Sequence, residues 1–381
     1  MTRPMRMWAA GLVSLCLVGL TANEVSAATP PKEAGGLVVH EWGTFSTFSG
    51  SNGAYQKFYV HGNDLPEFVY RSHIWDNTKS GRGAVLVSLE TPVLYFYSER
   101  ELTASVRVDF PEGVITDWYP EASRPPDHKL QWDRIKVLPR GQAVPLPTLK
   151  EGVNRSRYFA AREVDASPVQ IVGKKDKLEH EQFLFYRGVG DFQMPLKVEA
   201  LGHGIFTVTN TGTEAIPAFL VVHIQDGKVR FRKYGHLSQK SAVKHMAPAA
   251  DSSTAELAQT MVQLLIDQGL FEKEARAMVK TWQADWFGEE GTRVLYLVPN
   301  KVTDAFLPLQ VKPKPETLVR VLVGRHDILT PEQEKRLDEL TKKSDEYQRA
   351  VEKIGRYAWP AAEAARTRVN KEYAEKVKQK P

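Results

Sequence analysis

The sequence predicts a mainly β protein: one or two antiparallel β-sandwich units, with a two-helix insertion and a C-terminal helix. Short runs rich in Val, Tyr and Phe, broken by Gly, Asn and Pro, fill residues 37–110 and return after residue 183. Such runs are typical of strands joined by short connections. Apolar residues at helical spacing replace this pattern at 253–287 and again after Thr330.

The first predicted strand covers residues 37–48. Successive side chains of an extended chain point to opposite faces. Glu41 therefore shares one face with Val39, and His40 shares the other with Trp42. Both faces carry apolar residues, so the strand places a carboxylate and an imidazole where a sheet would bury apolar side chains.

The strands that follow are predicted from alternation and turn residues. Residues 104–110 alternate with a period of two, which indicates a half-buried strand. Residues 111–151 are rich in Pro and Gly and predict a long connection with one or two strands. Asp226 and Gly227 lie between two apolar runs and predict a tight hairpin, because both central residues of a type I′ turn need positive φ.

Two helices are predicted within residues 253–287. Ser253 and Glu256 form a capping box at the start of the first, and the apolar stripe of the second is typical of core packing. The runs at 292–299 and 317–324 return to strand. The helical pair is therefore predicted to be an insertion in a β region.

A last helix is predicted to begin after Thr330, which forms a capping box with Gln333. A heptad rhythm follows in Leu337, Leu340, Ser344, Tyr347, Val351, Ile354 and Ala358. Docking of this helix on the protein's own surface is favoured. The alternative is self-association through the C-terminal helix, in which case truncation after Thr330 would change the assembly state.

The N-terminus resembles a secretory signal peptide. Arg3 and Arg6 precede an apolar run of residues 8–20, and Ala27 ends a small-residue cleavage site. The run is too short for a typical membrane span, so no transmembrane segment is predicted in the mature chain. We expect an exported protein, periplasmic or extracellular, with the divisions 1–27 signal peptide, 28–165 N-terminal β-rich domain, 166–329 β-rich domain with the helical insertion, and 330–381 C-terminal helix.

Composition excludes several classes of function. The one cysteine, Cys16, lies in the predicted signal peptide, so the mature chain has neither disulfides nor a Cys nucleophile. The net charge is only +5, and the basic segment 173–181 is interrupted by acids. We therefore expect a solvated loop there and no nucleic-acid partner. The G-x-S-x-G, H-E-x-x-H and phosphate-loop motifs are absent.

Charged residues in phase with apolar ones mark the candidate site. Glu41, Arg187 and Arg325 each fall on an apolar face of a predicted strand. Buried charges must be paired, neutralised or at the mouth of a cleft, so the sequence predicts a Glu41–Arg187 or a Glu41–Arg325 pair. This pair is either a structural tie between strand ends or part of a pocket in which His40 is an acid/base and an arginine holds an anionic group.

The histidines and the aromatic segments could in principle form two other kinds of site, for a metal ion and for a sugar. The histidines include His40, His61, His73, His203, His223, His236 and His245. They have no diagnostic ligand spacing, so no metal site is predicted and the cofactor, if any, is unknown. The aromatic segments at 94–98, 115–120 and 130–134 resemble sugar-binding surfaces, but core packing is favoured.

Residues 40–45 read HEWGTF and resemble the signature of an uncharacterised family of exported bacterial proteins with no established activity. Segments 90–98, 183–192, 278–299 and 319–332 resemble the same family. The resemblance implies that a site, if present, uses the polar residues of these segments. They are His40, Glu41, Glu90, Arg187, Glu290, Arg293 and Arg325.

The predicted function is an exported cell-envelope binding or structural protein of unknown ligand, a glycan or an anionic small molecule. The alternative is an exported hydrolase or metal-assisted enzyme in which Glu41 is the carboxylate, His40 the proton carrier and Arg187 the anion clamp. Further ligand contacts would come from Glu90, Glu290, Arg293 and Arg325. The two interpretations differ in accessibility, because an enzyme needs these groups in an open concavity.

Overall fold

The structure is a computed structural model that describes residues 36–58, 64–72, 85–123, 127–148, 157–247, 250–341 and 344–378. The predicted signal peptide, His61 and His73 lie outside these ranges. In the described residues the fold is mainly β, as predicted. Its strands are β1 (Val38–Ser49), β2 (Tyr70–Arg71), β3 (Val87–Tyr97), β4 (Leu102–Asp109), β5 (Gly113–Tyr119), β6 (Lys129–Val137), β7 (Val169–Val172), β8 (Leu178–Glu181), β9 (Leu184–Gly190), β10 (Leu196–Gly202), β11 (Ile205–Asn210), β12 (Phe219–Gln225), β13 (Lys228–Tyr234), β14 (Ala242–Met246), β15 (Gly291–Leu297), β16 (Leu309–Lys312) and β17 (Thr317–Ile328).

The central element is a nine-stranded sheet in the order β13-β12-β15-β17-β1-β3-β9-β5-β2. Its strands pair antiparallel except β1 and β17, which are parallel. Parallel neighbours need a long crossover, and these two are the first and last strands of the described chain. The predicted boundary at residues 165/166 falls within this sheet, since β1, β2, β3 and β5 precede it and the other five strands follow it.

Two smaller sheets cover one face of the central sheet. They have the orders β16-β4-β6-β7-β8 and β10-β11-β14. The core between the layers includes Phe45, Leu94, Trp132, Val208 and Leu322. The exposure of β4 alternates as predicted, and Asp226 and Gly227 have φ of 50° and 74° at the β12–β13 hairpin.

Helices cover the opposite face. These are α1 (Thr254–Asp267) and α2 (Glu272–Phe287), inserted between β14 and β15 as predicted. The Ser253 hydroxyl accepts a hydrogen bond from the Glu256 backbone N–H and so caps α1. Trp282 and Trp286 of α2 pack with Trp42 and Val323 of the sheet in a second apolar core. The protein therefore has three layers: the two small sheets, the central sheet and the helices.

The segment predicted as one C-terminal helix contains three: α4 (Pro331–Leu340), α5 (Ser344–Glu352) and α6 (Ala358–Lys378). A short helix, α3 (Asn300–Phe306), precedes them. Thr330 and Gln333 form the predicted capping box. The chain turns between α5 and α6 at Gly355, whose φ is 66°, a conformation that favours glycine. Apolar residues of the three helices pack on Phe48, Phe58 and Leu329, so this segment docks on its own chain.

Candidate functional site

His40 and Glu41 of the HEWGTF strand lie on opposite faces of the central sheet, as their phase predicted. His40 faces the helices, where its Nδ1 lies 2.8 Å from Glu274 Oε2. Glu274 also accepts hydrogen bonds from the Tyr97 hydroxyl and from the Phe271 backbone N–H, each 2.7 Å long. Through Glu274, His40 connects β1 to the start of α2. Because it is only 2% exposed, it does not line an open site.

Glu41 faces the smaller sheets and is fully buried. Its Oε2 accepts a 2.6 Å hydrogen bond from Arg320 Nε, and its Oε1 accepts one of the same length from the Tyr186 hydroxyl. Burial alone would lower the pKa of Arg320, but the Glu41 carboxylate raises it above its ordinary value. The guanidinium therefore remains charged.

The predicted pairing of Glu41 with Arg187 or Arg325 is thus wrong. Both arginines lie on the helix-facing side of the sheet, whereas Glu41 lies on the other side. Arg320 is opposite Glu41 in the parallel β1–β17 register. Arg320 and Arg325 lie on opposite faces of β17. Arg320 could be identified as the partner of Glu41 only from the pairing of β1 with β17.

The packing of β1 against β3 explains why the motif has a glycine at position 43. The β1–β3 register shifts between Trp42 and Thr44. A Cβ atom at Gly43 would lie 3.0 Å from the Pro92 Cα, closer than side chains normally approach backbone. The motif therefore contributes two buried polar side chains, His40 and Glu41, and a glycine that lets β3 approach closely. All three have a structural role.

A set of connected ion pairs, some fully buried and some partly exposed, lies on the helix-facing side of the sheet, and we call it the arginine network. It comprises Asp64, Glu90, Arg157, Arg187, Asp285, Glu289, Arg293, Arg325, Asp327 and Arg356. Arg293 Nε and Arg325 Nε donate to Asp327 at 2.9 and 2.6 Å. Arg356 donates to Glu90 and Asp285, both at 2.9 Å.

The network continues to the surface. Arg187 donates to both oxygens of Asp64, at 2.8 and 2.7 Å. Arg157 pairs with Asp285 and lies 3.7 Å from Asp64, and Arg325 pairs with Glu289. Five arginines face five carboxylates, so the positive and negative charges balance.

Four of the predicted ligand or catalytic residues meet in this network: Glu90, Arg187, Arg293 and Arg325. Apart from Asp327, the other members were missed because they come from loops, α2 and the C-terminal segment. Asp327 lies two residues after Arg325 in β17, at the same phase, and was the one detectable from the sequence. Arg325 and Arg293 reduce the pKa of Asp327 to about 2 although burial acts to raise it.

Glu290 lies outside the network. Its carboxylate accepts hydrogen bonds from the backbone N–H groups of Asp226 and Gly227, each 3.1 Å long. Its backbone carbonyl accepts one from Arg293. Glu290 therefore fixes the β12–β13 turn against the start of β15.

An open cleft of about 790 Å³ lies between the ends of β12, β15 and β17 and the helices α4 and α5. Its lining combines apolar residues, among them Ile224, Ile328 and Leu337, with polar and charged ones, and it includes Asp327 and Tyr357. The cleft thus reaches one edge of the arginine network. Sequence reasoning did not predict it, because its two walls come from segments with no local relation.

The structure gives no support for a metal site or an aromatic binding surface. Among the described residues, no group of three or more His, Cys, Asp or Glu side chains has the geometry to hold a metal ion. His223 Nδ1 lies 2.8 Å from the Thr292 hydroxyl. The aromatic segments that resemble sugar-binding surfaces contribute Tyr95, Trp118 and Trp132 to the core, the interpretation favoured from the sequence.

Comparison with known proteins gives no family. No family model matches the chain, and no curated protein matches it. Among solved structures, the chain is similar to the yeast delta-COP-I mu-homology domain, with 7% identity and a TM-score of 0.32 over 78% of this chain and 99% of that chain. The same domain complexed with the Dsl1 WxWxV peptide gives 7% identity and a TM-score of 0.31 over the same shares. These scores are too low to support an argument about fold or function. Within the described ranges no helix is long and apolar enough to cross a membrane.

Proposed function

We propose that this chain is an exported binding protein of the cell envelope and that it holds its ligand in the cleft between the central sheet and the helices α4 and α5. Membership in the HEWGTF family of exported proteins is part of the proposal. The observation that carries it is accessibility: His40 and Glu41 are sealed on opposite faces, whereas the cleft is open.

The size and lining of the cleft support binding of a small molecule. Its volume of about 790 Å³ falls within the 300–1,000 Å³ that is usual for ligand sites. Apolar side chains such as Ile224 and Ile328 line it together with charged ones such as Arg336, Arg349 and Lys353, so the cleft offers both apolar contact and groups that can orient a polar ligand. The alternative of a hydrolase using His40, Glu41 and Arg187 has no comparable support, because these three residues do not meet.

The export part of the proposal predicts the mature N-terminus. When the full chain is expressed in a bacterium, we expect the protein in the periplasmic fraction to begin at Ala28, as read by N-terminal sequencing. Deletion of residues 2–27 should leave the protein in the cytoplasm. Recovery of the full-length chain from the cytoplasm, with Met1 intact, would contradict export.

The binding part predicts a molecule that co-purifies with the protein. We expect mass spectrometry of a solvent extract of native protein to detect a compound that is absent from the Ala350→Trp variant, because Ala350 lines the cleft and a tryptophan there fills part of it. Gln348→Trp is the matched control: this residue is exposed on the same helix and lies outside the cleft lining. Equal retention by all three proteins, or by none, would refute the cleft as the binding site.

A further inference from the structure

A second groove, of about 530 Å³, lies between the loop that follows β1 and the first half of α6. We call it the Trp359 groove. It has no lining residue in common with the cleft. Many of its lining residues are exposed, among them Asn52, Ala54 and Thr367, so the groove is open to solvent. Its volume falls in the range that is usual for ligand sites.

An exposed tryptophan forms part of this groove. Trp359 is 42% exposed, whereas the other tryptophans of the described ranges are at most 8% exposed. Ala54, Pro360 and Ala364 also line the groove, so the indole ring belongs to a larger apolar surface. A flat aromatic ring in such a surface is a stacking platform for a molecule that has an apolar face.

Polar side chains complete the groove. Gln56 Oε1 is buried and forms no hydrogen bond within the described parts of the chain. The terminal torsion of glutamine is soft, so the amide can turn this oxygen toward the groove. Asn52 Oδ1 accepts a 3.0 Å hydrogen bond from the Ala54 backbone N–H, which orients its amide and leaves the Nδ2 group to donate. Glu363 adds an exposed carboxylate.

The walls of the groove are held together by the protein itself. Ser51 donates to Glu334 of α4 from its backbone N–H and from its hydroxyl, at 3.0 and 2.6 Å. Arg368 of α6 lies 3.7 Å from the same carboxylate. Because the loop, α4 and α6 are joined through Glu334, a ligand would have little ordering to impose on the groove.

The charges that line the groove balance. Lys57 and Arg368 are positive, and Glu334 and Glu363 are negative. The groove therefore has no net charge with which to attract an ionic ligand. Its features suit an uncharged polar molecule with one apolar face.

Sugars have this combination of properties. Their hydroxyl groups both donate and accept hydrogen bonds, as side-chain amides do through their two ends, and the C–H face of a pyranose ring is apolar. We propose that the Trp359 groove binds an uncharged sugar unit of a glycan chain, which stacks on Trp359 and bonds to Asn52, Gln56 and Glu363. The open groove leaves room for the neighbouring units of the chain. This inference goes beyond the proposed function, because it concerns a separate site and does not require a ligand in the cleft.

The test screens the purified protein against immobilised neutral oligosaccharides of glucose, mannose, galactose and N-acetylglucosamine. Isothermal titration with the strongest of these oligosaccharides then gives the dissociation constant. We expect saturable binding of at least one neutral oligosaccharide. Oligogalacturonate, which carries a carboxylate on each unit, should bind more weakly, because the groove has no net positive charge.

Variants locate the binding. Trp359→Ala should weaken it about tenfold, because the stacking platform is lost, and Trp359→Phe should keep most of the affinity. Gln56→Ala should weaken it about three- to tenfold through one lost hydrogen bond, and it tests the groove from the opposite wall. Tyr373→Ala is the matched control, since Tyr373 is an aromatic residue of α6 that is 72% exposed and lies outside the groove lining. It should bind like the parent.

Other outcomes would overturn the proposal. Failure to bind any of the neutral oligosaccharides would refute a glycan site. Equal affinity of the parent, Trp359→Ala and Gln56→Ala proteins would place the glycan elsewhere on the surface. Ala350→Trp, which fills part of the cleft, should bind the oligosaccharide like the parent, and loss of binding in that variant would assign the glycan to the cleft. Binding of a proline-rich peptide in place of every oligosaccharide would make the groove a peptide site.

Discussion

Replacing Asp327 by asparagine is expected to lower the free energy of unfolding by about 3–5 kcal/mol, because it leaves two buried guanidinium groups without their shared carboxylate. Arg293 is fully buried, and Arg325 is 1% exposed. The new amide group would also direct N–H donors at one of these arginines. Urea unfolding at neutral pH measures the effect.

The control for this change is Asp338→Asn. Asp338 forms a similar forked pair with Arg368, at 2.8–3.1 Å, but both side chains are about one third exposed. Partly exposed pairs contribute about 1 kcal/mol or less. Equal losses for the two variants would mean that burial does not strengthen the Asp327 contacts.

The loss of stability caused by Asp327→Asn is expected to depend on pH. The folded-state pKa of Asp327 is about 2, below its ordinary value of 3.8. Its stabilising contribution is therefore complete above the unfolded-state value and is lost as the pH falls from about 4 through 2. We expect the difference in unfolding free energy between the parent and Asp327→Asn to shrink by about 2 kcal/mol as the pH is lowered from 5 toward 2. A constant difference would contradict the charge-based account.

Arg320→Met is expected to have an effect of similar size, about 3–5 kcal/mol, on the other face of the sheet. The substitution leaves the fully buried Glu41 carboxylate with the Tyr186 hydroxyl as its remaining partner. The protein must then bury a carboxylate without a charged partner, which lowers stability. Chemical unfolding at neutral pH measures the loss.

Two further variants separate charge from packing. The double variant Glu41→Gln/Arg320→Met should recover much of the loss, because no uncompensated charge remains. Asp304 is the second partner of Arg320, and its own side chain is 62% exposed. Asp304→Asn should therefore change stability by less than about 1 kcal/mol. If the double variant were no more stable than Arg320→Met, lost packing rather than the bare carboxylate would be the cause.

The sequence predicted features that depend on local spacing. The alternation of His40 and Glu41 between faces, the Asp226–Gly227 turn and the Thr330 cap all follow from side-chain periodicity or backbone preference. Each requires only residues close together in the chain.

Features that depend on distant pairing were not predictable. The phase of β17 placed Arg325 correctly on the helix-facing side, but the partner of Glu41 depends on the parallel register with β1. Arg356 and Tyr357 likewise reach the arginine network through docking of the C-terminal helices. Nothing in the local spacing of residues 330–381 specifies which buried carboxylates they meet.

The parallel pairing of β1 with β17 has a consequence for the order in which the protein folds. Glu41 and Arg320 are 279 positions apart, and contacts at such separation pay a large loop-closure entropy before they contribute stability. The middle of the central sheet forms only when β17 is present, so the HEWGTF strand emerges long before its neighbour exists. Until then β1 has an open edge that can pair with other chains. The first strand of this protein is therefore expected to keep one unpaired edge until the last strand has been made.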